Sequence, residues 1–167
     1  MDKLNVCKVV GLEGFVNSGK SGVLKLLNKE LLNINGSKVL HVFDCCGNEC
    51  ATKDISYNDD IIVVVEVNGK KIVVVSGGDY LSTPDIVIEI INGLSIHVDV
   101  LFVGMRYINP AVGNKYRDVF ARYEIKVESV FKPGFKRTTK LPEGVLECAE
   151  EMWVRLLLDK AGISVQY

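Results

Sequence analysis

Histidine, tryptophan and proline are all scarce in this chain of 167 residues, which has 2, 1 and 4 of them respectively. The two histidines, His41 and His97, stand apart inside apolar runs. Structural zinc sites usually need four ligands with CxxC-like spacing, and no second Cys or His pair follows the cysteines of FDCCGNEC. Cys45, Cys46 and Cys50 therefore read as small thiols, buried or partly exposed, rather than as a metal site. With Cys7 and Cys148 they make five, an odd number that matches no secreted disulfide framework, so reduced thiols are expected.

An excess of one charge is also missing. The 20 Lys plus Arg nearly balance the 21 Asp plus Glu, leaving a formal net charge of −1. Nucleic acid is accordingly not favoured as a partner. Long apolar runs are missing too: Ile61–Val65 is far too short to cross a bilayer. The opening MDKLNVCKVV has neither the apolar core nor the cleavage site of a signal peptide. No membrane partner and a cytoplasmic location are expected. No repeat, low-complexity tract or linker divides the chain, and 48 % hydrophobic with 25 % charged residues is a globular composition. One domain over residues 1–167 is expected.

Turning to what is present, segments rich in Val and Ile alternate with segments of helical period, the pattern of a βα-type fold with a mostly parallel sheet. Val6–Gly11 reads as a buried strand. Val23, Leu24, Leu27 and Leu31 give the next segment one apolar helical face, and Asn35-Gly36 ends it. Lys38–Asp44 is a second strand, and residues 45–59 carry no strong periodicity. Asp60–Val67 and Lys71–Ser76 are strands joined by Asn68-Gly69, a dipeptide suited to a tight antiparallel hairpin. Ile72–Val75 is apolar throughout, as a central strand should be.

The stretch IVIEII would pass for a strand by propensity. Thr83 as cap, Pro84 in the first turn and Asp85 at the positive dipole end predict a helix instead. His97–Gly104 is a further strand, Tyr116–Tyr123 a helix and Glu124–Phe131 the last strand. From Pro142 onward, Val145, Ala149, Met152, Trp153 and Leu156 predict a long amphipathic helix.

The segment Gly14-Phe-Val-Asn-Ser-Gly19-Lys20-Ser21 fits G-x-x-x-x-G-K-[ST], with a strand before it and a helix after it, which is the context that motif requires. Glycines let backbone N–H groups wrap an anion, and the following helix points its positive end at the phosphates. Gly14, Asn17, Ser18, Gly19, Lys20 and Ser21 are the expected phosphate-binding residues. Lys20 is expected to bridge the β- and γ-phosphates, and the Ser21 hydroxyl to ligate Mg²⁺. Gly22 is an oddity, because it weakens the first helical turn.

On these residues the chain resembles the P-loop NTPase superfamily. The resemblance implies a three-layer α/β fold, a mostly parallel sheet carrying here one antiparallel hairpin strand, and a nucleoside triphosphate with Mg²⁺ at the strand ends. It also implies an acidic residue near a neighbouring strand end, holding the magnesium through water. Asp79, after the run IVVVSGG, is the first candidate and Asp44, at the end of KVLHVFD, the alternative. An ordinary loop-capping Asp is the plain reading of either. DIIVVVEVNGKKIVVVSGGD is also similar to a group of small bacterial P-loop proteins, in which a later strand ends in Arg, as Phe102-Val-Gly-Met-Arg106 does here.

Arg106 on that sheet edge could stabilise a transferring phosphoryl group or grip an anionic acceptor, or it could be a surface arginine over the sheet end. Lys132, Lys136, Arg137 and Lys140 form a basic cluster, either a base or phosphate contact or a solvated loop. N-K-x-D is absent, and the strand end where a D-x-x-G switch element would stand reads SGGD, which argues against a Ras-like GTPase; the missing N-K-x-D leans towards ATP. No strand ends in Asp-Glu, which excludes a motor. The leading expectation is a small kinase-like phosphotransferase using Mg-ATP, with Lys20, Asp79 and Arg106 as catalytic residues and an acceptor of unknown identity. A slow ATPase acting as a switch or partner-binding module, and a non-catalytic nucleotide binder, are the alternatives.

Overall fold

Asn68 and Gly69 both adopt positive φ, 51° and 78°, in the computed structural model. That is the backbone a two-residue type I′ hairpin demands. They join β4 (Ile62–Val67) to β5 (Lys70–Val75), which pair antiparallel with Val67 opposite Lys70. The structure describes residues 3–14, 20–52, 56, 59–77, 81–106, 110–132 and 143–164, with 106, 110–114 and 143–149 described by backbone alone.

The other strands are β1 (Val6–Gly14), β2 (Lys38–Phe43), β3 (Glu49–Cys50), β6 (Val98–Arg106) and β7 (Val127–Lys132). The helices are α1 (Lys20–Asn33), α2 (Thr83–Leu94), α3 (Pro110–Ala121) and α4 (Glu143–Ala161). The seven strands form one sheet in the order β3-β2-β4-β5-β6-β1-β7. β5 stands in the middle, which is why Ile72–Val75 is buried on both faces.

The sheet is mixed, and this corrects the expectation of a mostly parallel sheet with one antiparallel hairpin strand. β1–β6, β1–β7 and β5–β6 are parallel, whereas β2–β3, β2–β4 and β4–β5 are antiparallel. Half of the pairings are thus antiparallel, and they are contiguous at one side. The reason lies in residues 44–50, which have no apolar periodicity but turn tightly enough for β3 to fold back on β2. β4 then enters beside β2 in the reverse direction, so one side of the sheet is built from hairpin-like returns that need no crossover helix.

Helices cover both faces. Val23, Leu24, Leu27 and Leu31 of α1 and Val154, Leu157 and Leu158 of α4 pack with Val10, Leu12, Val63 and Phe102 on one face. Val87, Ile90 and Ile91 of α2 and Tyr116, Val119 and Phe120 of α3 pack with Val9, Val64, Val73 and Leu101 on the other. The face expected for the last helix is corrected: Met152 is 57 % and Leu156 43 % exposed. Apolar residues surround that helix (Met152 to Leu158), so period alone cannot choose a face, and packing against α1 decides it.

Three local expectations shift in detail. The IVIEII segment is helical as expected, but Ser82, not Thr83, is the N-cap residue, without a side-chain cap bond, and Thr83 is buried in the first turn. α3 begins at Pro110, six residues before its expected start. β1 continues three residues past Gly11, so Gly14 ends a strand rather than opening a loop. Among the described residues, no helix is long and apolar enough to cross a membrane.

Candidate phosphate-binding edge

β4 runs opposite to both β2 and β5, so β2 and β5 run the same way as β6, β1 and β7. The carboxyl ends of these five strands share one sheet edge. The helix after β1 packs on one face and the helix after β6 on the other. Such a reversal between neighbouring strands opens a crevice outside their carboxyl ends, where ligands bind in open α/β sheets.

Gly14 sits at that point. Its register partners are Arg106 at the end of β6 and Lys132 at the end of β7, so the backbone of a cationic residue flanks it on each side. Lys20 opens α1 and is only 5 % exposed. Its ammonium donates to the Gly14 carbonyl at 3.1 Å, so one side chain spans both ends of the 15–19 segment. A buried ammonium requires such partners, and here it lies at the positive end of a helix, a place that favours an anion. Ser21, next on α1, is exposed. Of the other expected site residues, Asn17, Ser18, Gly19 and Asp79 lie outside the described residues, as do Lys136, Arg137 and Lys140 of the basic cluster. Arg106 is placed by its backbone as the last residue of its strand.

Lys132 departs from its expected place in a loop cluster. It ends β7, is 4 % exposed, and holds Nζ 5.8 Å from the centroid of the Trp153 ring, within cation–π range. Burial pushes its pKa down, and the nearby Glu150 carboxylate acts in the opposite direction.

Asp44, the alternative magnesium-side carboxylate, closes its own turn. Oδ1 accepts from the backbone N–H groups of Cys46 and Asn48, both at 2.9 Å, and Oδ2 accepts from Asn48 Nδ2 at 3.2 Å. The Asn48 backbone bond is the largest influence holding its carboxyl below the ordinary value; desolvation, next in size, opposes it, and Asn48 Nδ2, Cys46 and Gly47 add to it. The loop-capping reading fits this residue.

Two ion pairs that brace the edge went unread in the sequence. Arg117 Nη2 of α3 reaches both oxygens of Glu13 at 3.2 Å, tethering α3 beside Gly14. Lys25 of α1 meets Asp60 Oδ1, just before β4, at 3.1 Å. Arg117 and Glu13 lie 104 residues apart, and neither pair leaves a mark in local periodicity. Beside them Ser76, 1 % exposed, accepts from the Ile61 N–H at 3.2 Å and donates to the Ile61 carbonyl at 3.0 Å, fixing the exit of β5.

Comparison with protein-family models, with curated proteins and with solved structures found no match to this chain.

Proposed function

We propose that Gly14–Ser21 binds the phosphates of a nucleoside triphosphate, most simply ATP with Mg²⁺, and that the chain is a small kinase-like phosphotransferase. The observation that carries the reading is the buried Lys20 ammonium on the Gly14 carbonyl, at the start of α1 and the end of β1. A buried cation at a helix N-terminus, within the G-x-x-x-x-G-K-[ST] spacing, supports that reading.

The residues present suit such a ligand. Lys20 would meet the β- and γ-phosphates, and the exposed Ser21 hydroxyl is accessible to Mg²⁺. Magnesium would neutralise charge building on the transferring phosphoryl group. Arg106, at the neighbouring strand end, is the residue for an anionic acceptor or for the phosphoryl group itself. Asp79, from the sequence pattern, is the carboxylate for the magnesium side.

The test is a thermal-shift titration with Mg-ATP, followed by product analysis with candidate acceptors. Binding to the native state at a hundredfold excess over Kd stabilises by about 2.7 kcal/mol. Lys20→Met keeps the apolar stem and removes the ammonium, so it should retain the fold and lose the nucleotide response. No shift of the wild-type protein with any nucleoside triphosphate would sink the proposal. ATP turnover that no acceptor accelerates would reassign the protein as a slow ATPase switch.

A further inference from the structure

The opposite edge of the sheet carries a second cluster. Cys7 near the start of β1, and His97 and Asp99 around the start of β6, bring Sγ, an imidazole nitrogen and a carboxylate oxygen within 4.8 Å of one another. At about 3.3 Å per strand residue, the seven residues from Cys7 to Gly14 put this cluster on the order of 23 Å from the phosphate-binding edge. We propose that Cys7, His97 and Asp99 form a binding site for a zinc-like divalent cation, with solvent in the fourth position.

The distances fit one ion. Cys7 Sγ lies 3.2 Å from His97 Nε2, and His97 Nε2 lies 3.5 Å from Asp99 Oδ1. Tetrahedral zinc with Zn–S near ~2.3 Å, Zn–N near ~2.05 Å and Zn–O near ~2.1 Å puts S and N about 3.6 Å apart and N and O about 3.4 Å apart. Both observed separations are within a few tenths of an ångström of these values.

His97 and Asp99 are also aimed from behind. His97 Nδ1 is 2.7 Å from Asn5 Oδ1. An amide oxygen only accepts, so Nδ1 carries the proton, and Nε2, on the side of Cys7 and Asp99, is the nitrogen whose lone pair a bound ion would take. Asp99 Oδ2 accepts from the Lys71 backbone N–H at 2.8 Å, which leaves Oδ1 facing the cluster. Hydrogen bonds of this kind orient ligands in metal sites and fix the histidine tautomer.

Lone-pair accounting points the same way. With Nε2 unprotonated, the imidazole nitrogen and the carboxylate oxygen both present electron pairs, and the Cys7 S–H proton can satisfy one of them. A cation bound to all three satisfies the thiolate, nitrogen and oxygen together. Mixed sulfur, nitrogen and oxygen ligation selects zinc-like ions over Mg²⁺ and Ca²⁺, which take oxygen ligands. Cys7 and His97 are exposed, so the ion can enter without any movement of the fold.

The experiment titrates chelator-treated, reduced full-length protein with Co²⁺ alone, then with Zn²⁺ as competitor. The expected result is one equivalent of Co²⁺ with a thiolate-to-cobalt charge-transfer band that Zn²⁺ abolishes. Cys7→Ser should lose the band, and His97→Ala and Asp99→Asn should each weaken binding at least tenfold. Asn5→Ala should weaken it about tenfold, as removal of such an orienting partner does. Circular dichroism of each variant checks the fold, and His97→Ala and Asp99→Asn test the site without touching a thiol. No band in the wild-type protein, a band that survives Cys7→Ser, or unchanged affinity in His97→Ala and Asp99→Asn would overturn the proposal.

Discussion

Gly22, in the first turn of α1, lies against the Glu150 carboxylate of α4: a Cβ at position 22 would stand 2.9 Å from Glu150 Oε1. The glycine that weakens the helix start on propensity grounds is thus where two helices meet closely. Alanine in place of an exposed mid-helix glycine gains about 1 kcal/mol. Here Gly22→Ala must push the carboxylate aside, so its expected net gain is below about 0.5 kcal/mol. In a Glu150→Ala background the gain should return to about 1 kcal/mol. Denaturant unfolding of the four proteins in this cycle measures the coupling. Equal gains in both backgrounds would mean that Glu150 does not hold position 22 to glycine.

The two candidate carboxylates for the magnesium side should separate cleanly. Asp44 is committed to the Cys46 and Asn48 donors of its own turn, so Asp44→Asn should leave the Mg-ATP thermal shift intact. Asp79→Asn should abolish the magnesium dependence of that shift. The Asp44 carboxyl is also held below 3.8 by those hydrogen bonds. The stability it contributes is complete above 3.8 and lost as pH falls through the folded value. Acid unfolding should therefore bring wild type and Asp44→Asn together at the lowest pH. A magnesium response lost in Asp44→Asn instead would exchange the two assignments.

What the sequence discloses here depends on whether the determinant is local. The β4–β5 hairpin was readable because Asn68-Gly69 supplies the positive φ pair that its turn needs. The helix over IVIEII was readable because Pro84 and Asp85 act within one turn, even though β-branched residues argue the other way. Strand direction at the β3-β2-β4 side was not readable, because it is set by a return through residues of no periodicity. The buried side of α4 was hidden for a related reason: Met152 and Leu157 are equally apolar, and only contact with α1 distinguishes them. The candidate phosphate-binding edge was legible in Gly14, Lys20 and Ser21, which are close in sequence. His97 looked solitary because its companion Cys7 lies 90 residues away and becomes a neighbour only when β1 and β6 pair.

Lys132 predicts a pH dependence of opposite sign to that of Asp44. Burial is the larger influence and holds its pKa below 10.5, with Glu150 opposing. Between the folded value and 10.5 the unfolded chain binds more protons than the folded one, so stability contributed by this site rises with pH. Below that window the penalty of burying the charge is fully present. Compared with Lys132→Met, the wild-type protein should gain relative stability as pH is raised from neutrality towards 10.5. Glu150→Gln removes the opposing influence, so it should start the rise at lower pH. Denaturation curves across this range decide the matter, and a difference that stays flat would place the lysine in solvent.

Asn28 of α1 offers the plainest test of the packing beneath the site. It is 0 % exposed, and neither Oδ1 nor Nδ2 has a hydrogen-bond partner among the described residues. A buried polar group in that state destabilises by about 1–3 kcal/mol, and asparagine is a poorer helix former than alanine by about 0.6 kcal/mol. Asn28→Ala removes both orphan atoms at the expense of a small cavity between Leu24, Leu27 and Leu31, whose packing on the sheet is otherwise unchanged. The expected outcome is stabilisation by about 1 kcal/mol, read from denaturant unfolding, with the Mg-ATP shift preserved because residue 28 lies two turns beyond Lys20. A loss of about 1 kcal/mol or more would instead reveal a bonded Asn28, and with it a polar link between α1 and its neighbours.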